Sequence, residues 1–138
     1  MITTRKGFTG TQAGMTQKQM AAFAAVLDAS VRGEFHHGDC VGSDEQAHDI
    51  AHKLGYRIVV HPPTIGDKRA YKEGDIARAV APYLTRNHDI VDDTTWLIAA
   101  PRGFKEELRS GTWATVRYAR KLGKRVWVIW PDGKITKT

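Results

Sequence analysis

Three short runs of small and hydroxyl-bearing residues stand out in the chain: Gly7-Phe-Thr-Gly-Thr11, Gly38-Asp-Cys-Val-Gly-Ser-Asp44 and Ser110-Gly-Thr112. Glycine lets a backbone come close to a phosphate or a ribose, and serine and threonine add hydrogen-bond donors. Between the second and third runs stands Arg86, with Asn87 beside it, on a segment that reads as a helix. That helix leads into an apolar strand closed by Pro101, and the third run then opens another helix. A guanidinium near free N–H groups at a helix start is a device for holding an anion. The ligand these residue types suit is a phosphate, and a nucleotide is its natural bearer. Asp39 and Asp44 add carboxylates to the second run, where a ribose would lie.

Other chemistries have weaker footing. His48-Asp-Ile-Ala-His52 places two histidines one helical turn apart, as zinc proteases do. The position of the glutamate base falls on Asp49, and no third ligand stands out downstream. No metal is therefore expected. Cys40 has His36 and His37 near it in sequence, but a lone cysteine in a packed loop is most often inert. Trp113 opens a helix beside the third run and is placed to stack on a base, whereas Trp96, Trp127 and Trp130 read as core residues of the sheet. The residues assigned to a ligand are Thr9, Gly10, Thr11, Gly38, Asp39, Gly42, Ser43, Asp44, Arg86, Asn87, Pro101, Ser110, Gly111, Thr112 and Trp113. Asp39, Asp44 and Arg86 are the candidates for any catalysis, and no cofactor is expected.

The elements that must position these residues alternate between strand and helix patterns, the mark of a parallel α/β sheet. A first strand is expected near Thr3–Thr9. The first helix starts at Thr16, whose partner Gln19 completes a capping box; Met20, Phe23, Ala24, Leu27 and Val31 form its apolar stripe and Gly33 ends it. A short strand at Glu34–His37 leads to a second helix, with Ser43 and Gln46 repeating the capping-box spacing and Gly55 as its stop. That helix buries Ala47, Ile50, Ala51 and Leu54. Arg57–His61 reads as a buried strand closed by Pro62-Pro63, and residues 64–79 as a mobile flap or short helix. A helix over Ala81–Asp92 tolerates Pro82 in its first turn. A strand at Thr95–Ala100, a polar loop at Arg102–Arg109, a helix at Thr112–Leu122, a strand at Arg125–Trp130 and a polar tail complete the chain. The expected architecture is one three-layer, Rossmann-like domain with a parallel sheet of about five strands.

Composition agrees with a single domain. The 138 residues are 41% hydrophobic and 26% charged, as in ordinary globular proteins. No apolar run approaches the roughly 20 residues that span a bilayer, and no signal-peptide core follows Arg5 and Lys6. A single cysteine excludes an internal disulfide framework, so the cytoplasm is the expected compartment. The net charge of +6 is concentrated between Arg102 and Arg125, which draws phosphates.

With these residues in place, the chain resembles the SLOG superfamily, the Rossmann-like group of the Lonely Guy phosphoribohydrolases and the DprA-type DNA-processing proteins. Its small stand-alone bacterial and phage-type branch carries an initial Phe-Thr-Gly, a Gly-[Ala/Ser]-Asp and a late Ser-Gly-Thr. Here these are Phe8-Thr9-Gly10, Gly42-Ser43-Asp44 and Ser110-Gly111-Thr112. The hydrolase branch carries a helical arginine, then a strand ending in proline, then Gly-Gly-x-Gly-Thr-x-x-Glu. Arg86 lies 15 residues before Pro101, in keeping with that layout. After Pro101 the patterns part: Arg102–Leu108 is inserted, and the glutamate position falls on Thr115.

The resemblance implies binding of a nucleotide-derived small molecule, of the ADP-ribose or cyclic-nucleotide type, by a sensor or sequestering protein such as serves phage defence or anti-defence. It places phosphate on Ser110–Thr112 and Arg86, and ribose near Gly10, Asp39 and Asp44. The alternative is a phosphoribohydrolase or other N-glycosidase in which another carboxylate, from Asp39, Asp44, Glu106 or Glu107, replaces the missing glutamate, because such chemistry passes through a cationic sugar. A single-stranded nucleic-acid binder is less favoured, since the basic 102–125 stretch lacks interleaved aromatics. A homodimer or higher oligomer is implied by the same resemblance, and a membrane partner is not.

Overall fold

The computed structural model describes residues 4–138. Its elements, in chain order, are β1 (Thr4–Gly10), α1 (Gln17–Asp28), β2 (Gly33–His37), α2 (Ser43–Lys53), β3 (Arg57–Val60), β4 (Ile76–Ala77), α3 (Tyr83–Asp92), β5 (Trp96–Ala100), α4 (Gly111–Lys121), β6 (Arg125–Ile129) and β7 (Ile135–Lys137). Thr3, expected to open β1, lies outside the described residues. The sheet order is β4-β3-β2-β1-β5-β6-β7. Every pairing is parallel except β6 with β7.

Both faces of the sheet are covered, so its central strands are apolar on both sides. On β5, Trp96, Ile98 and Ala100 pack with Phe23 and Leu27 of α1 and Ala47 and Ala51 of α2. Leu97 and Ala99 point the other way, against Val91 of α3 and Trp113, Val116 and Ala119 of α4. The two-residue period of the strand thus serves two cores, one per face. No helix among the described residues is long and apolar enough to cross a membrane.

The capping box at α1 is present: Thr16 Oγ1 accepts from Gln19 N at 3.0 Å, and Thr16 N donates to Gln19 Oε1 at 2.9 Å. The Gln19 amide also donates to the carbonyls of Pro101 and Ile129, each at 2.9 Å, and so ties α1 to the ends of β5 and β6. The helix ends at Ala29 rather than at Gly33, which belongs to β2. At α2 the expected capping box does not form. Gly42 is the N-cap, at φ 88°, while Ser43 Oγ donates to Thr11 O at 2.6 Å and Gln46 Oε1 accepts from Met15 N at 2.6 Å. Both polar side chains reach across to the loop after β1, which outcompetes the local cap because it joins two strand ends.

Seven strands replace the expected five. Segment 64–79 forms no helix; it folds back on the sheet and contributes the two-residue edge strand β4. The polar tail turns at Asp132-Gly133 and returns as β7, with Trp130 Nε1 donating to Thr136 Oγ1 at 2.7 Å. Neither strand carries an alternating apolar pattern, because an edge strand buries little.

Candidate functional site

The chain enters the sheet at β1, winds outward through β2 and β3 to β4, and then crosses to β5 on the other side of β1. The loops after β1 and β5 therefore diverge to opposite faces, and a crevice opens at their carboxyl ends. A cleft of about 510 Å³ occupies this point. Its lining includes Thr9, Gly10 and Thr11 after β1, Gly38 and Asp44 after β2, Arg86 and Asn87 on α3, and Ser110, Gly111 and Thr112 at the start of α4. These ten belong to the set expected from sequence. All three small-residue loops thus meet in one place.

Arg86 is 5% exposed, and its guanidinium is spoken for by backbone and neighbours. Nη1 donates to Gly38 O and, at 3.4 Å, to His61 O; Nε donates to Asn87 Oδ1 at 2.8 Å; Nη2 lies 3.5 Å from Cys40 Sγ. A Cβ on residue 38 would collide with the guanidinium, so Gly38 is what admits the arginine. The Arg86 charge also stacks over the Tyr83 ring, 5.2 Å from its centroid. The Tyr83 hydroxyl is buried and has no hydrogen-bond partner among the described residues. Asn87, read as a ligand contact, here orients Arg86 while lining the cleft.

At α4, Ser110 caps the helix by accepting from Trp113 N at 3.3 Å. The Gly111 and Thr112 N–H groups have no partner among the described residues, and both residues line the cleft. They are the open, positive end of a helix dipole at the cleft. Exposed Arg109 stands beside them, and Arg102 pairs with Glu107 at 2.7 and 3.1 Å on the same rim. Arg117 and Arg120 are tied to Glu106. Three arginines of the basic 102–125 stretch thus share two carboxylates, and the stretch keeps a net positive charge.

Asp44 is 7% exposed in the first turn of α2 and accepts from Cys40 N at 3.1 Å. Burial raises its carboxyl from 3.8 to about 6, against the downward pull of Arg86 and of its backbone donors. Burial likewise pushes the Cys40 thiol up, which suits an inert cysteine rather than a nucleophile.

Five of the expected residues lie elsewhere. Asp39 is fully buried at φ 55° and organises segment 64–79: it accepts from Arg69 Nε at 2.9 Å and from Lys72 N at 2.8 Å, and its carbonyl accepts from Ala70 N at 2.7 Å. It faces that segment instead of the cleft. Gly42 and Ser43 brace the loop after β1, and Pro101 receives the Gln19 amide. Trp113 is 2% exposed and packs in the α3–α4 core against Trp130, so it offers no ring face to a base. A large apolar ring in the first turn of a helix is drawn into the core as soon as that helix docks. His48 Nδ1 meets His37 Nε2 at 2.9 Å, and the His48 and His52 rings stack with centroids 6.2 Å apart.

The sequence assignment to a ligand left out Phe8, Gln12, Cys40, Tyr83, Ile90, Arg102 and Arg109, and named Glu107 only as a replacement carboxylate; all eight line the cleft. Their common signal was position: each lies in or flanks one of the three runs, or flanks Arg86. Thr115, at the hydrolase glutamate position, is 2% exposed and donates to Gly111 O at 2.9 Å, so no carboxylate stands there.

No protein-family model and no curated protein sequence matches the chain. Solved structures share its fold, two molybdenum cofactor proteins among them. One is the molybdenum cofactor binding protein of the phototrophic bacterium Rippkaea orientalis, with a TM-score of 0.71 and 22% identity over 94% of this chain and 78% of that one. The other is the molybdenum cofactor carrier protein of Chlamydomonas reinhardtii, at 0.63 and 20% identity over 92% and 76%. The chain therefore has the Rossmann-like α/β architecture of those proteins.

Proposed function

We propose that the protein binds a small molecule carrying a phosphate and a planar heterocycle, in the cleft between β1, β5 and α4. One observation carries this reading: the free Gly111 and Thr112 N–H groups, Arg109 and the backbone-held Arg86 converge on a single cleft. Donors fixed in advance pay little ordering entropy on binding an anion. A nucleotide of the ADP-ribose or cyclic type fits the SLOG resemblance, with the phosphate at α4 and the sugar near Gly10 and Asp44. The solved structures of like fold favour a second candidate ligand, the molybdenum cofactor. In either case the protein is a sensor, carrier or sequestering protein. A hydrolase reading rests on Asp44, a buried carboxyl lining the cleft that is poised to hold a proton near neutral pH.

The test incubates the purified protein with AMP, ADP-ribose, cyclic nucleotides and, anaerobically, the molybdenum cofactor. Each filtrate is chromatographed before and after heat denaturation of the protein. A ligand that disappears and returns intact on heating identifies a binder and its class. Free base accumulating beyond one equivalent identifies a hydrolase, and Asp44→Asn then abolishes turnover with binding retained. Retention of none of these compounds overturns the proposal. Pairing of copies belongs to the same reading: Ile65, Val80 and Leu84 are exposed large apolar residues. Light scattering should give at least twice the mass of 15.4 kDa.

A further inference from the structure

Behind the cleft, on the α3 side of β2 and β3, two histidines are buried side by side. His36 is 0% and His61 2% exposed, and His36 Nδ1 lies 2.8 Å from His61 Nε2. Asp93, the C-cap of α3, brings Oδ2 to 3.9 Å from His61 Nε2. One ligand atom from each of the three residues lies within 4.8 Å of the others. We propose that His36, His61 and Asp93 bind a divalent transition-metal ion of the zinc class.

The donor set is the first argument. Two imidazole nitrogens and one carboxylate oxygen match a borderline-soft cation, and three protein ligands leave one position for water. Tautomer control is the second. Glu34 Oε1 lies 2.8 Å from His36 Nε2, so that nitrogen carries the proton and donates it. The Nδ1 lone pair is thereby turned toward His61. A carboxylate accepting from the far nitrogen of a ligand histidine is the usual support of a metal site. Geometry is the third. Two Zn–N bonds at a tetrahedral angle need nitrogens ~3.3 Å apart, and a small opening of the His36–His61 contact reaches that.

The surrounding charges are the carboxylates of Glu34 and Asp93 and the guanidinium groups of Arg78 and Arg86. Arg78 Nη2 shares Asp93 Oδ2 at 3.3 Å, and Arg86 Nη1 donates to the His61 carbonyl rather than to its ring. A dication entering here meets two carboxylates, and Arg78 is half exposed and free to turn to solvent. The other histidine pair lacks these features. His37 accepts from Asp39 N with Nδ1 and meets His48 with Nε2, leaving no lone pair for an ion.

The test strips the full-length protein with chelator and titrates it with Co²⁺, read by its visible d–d absorption, followed by displacement with Zn²⁺. The expected result is one equivalent with the intense bands of a four- or five-coordinate site. Asp93→Asn should weaken Co²⁺ binding by roughly tenfold or more, His61→Asn should abolish it, and His52→Gln should leave it unchanged. Asp93 is partly exposed at a helix end, so its variant stays readable even if His61→Asn fails to fold. Absence of the Co²⁺ bands, bands unchanged in Asp93→Asn, or their loss in His52→Gln overturns the site.

Discussion

Asp44 makes the sharpest test of the electrostatics of the cleft. Its folded-state pKa stands at about 6, against 3.8 for an ordinary aspartate. Below pH 3.8 both folded and unfolded chains hold the proton, and the group contributes nothing. Between 3.8 and about 6 the unfolded chain releases its proton while the folded one keeps it, so stability falls as pH rises. Each pH unit in that window costs the folded state about 1.4 kcal/mol, and the whole window costs about 3 kcal/mol. Above it the penalty is constant. Asparagine keeps the shape and removes the titration. Urea unfolding of the native protein and of Asp44→Asn at half-unit steps from pH 4 to 8 should give a stability difference that moves by about 2.5 kcal/mol in favour of the variant, the part of the window above pH 4, and then levels off near pH 6.5. Taking the difference cancels the titration of the other groups common to both chains. A pH-independent difference would falsify the reasoning, because the carboxyl would then be ionised and paired with Arg86 throughout.

Three further outcomes follow from the same geometry. Arg86→Met should weaken the retained ligand by tenfold or more in calorimetry, the order of a lost charge-assisted hydrogen bond of about 2 kcal/mol; Gly38→Ala, which displaces the same guanidinium, should weaken it as well. Gln19→Ala should cost about 3 kcal/mol in chemical denaturation, because it strands the buried carbonyls of Pro101 and Ile129 as well as breaking the α1 cap. Trp113→Phe should lower stability by about 1–2 kcal/mol and leave ligand affinity within twofold, whereas a loss of affinity in fluorescence titration would return the ring to the cleft.

Much of this protein was legible in its residue order. The alternation of β-type runs and apolar helical stripes determined a parallel sheet with helices on both faces, because those periods are imposed by local backbone geometry. Glycine and hydroxyl runs at strand ends pointed to the loops that meet in the cleft, since in an open parallel sheet such loops converge wherever the strand order reverses. The capping box at Thr16 was equally local and equally readable. What the sequence left open depends on packing between distant segments. Asp39 turned toward residues 69–72 because three donors from that segment reach it, and Trp113 turned inward because α4 docks on β5 and β6. Ser43 gave up its cap for Thr11, a partner 32 positions away. The edge strands β4 and β7 exist only because neighbouring strands offer them free backbone groups. The pairing of His36 with His61, and the arrival of Asp93 beside them, needed β2, β3 and the end of α3 to be brought together, and no spacing in a single segment encodes that.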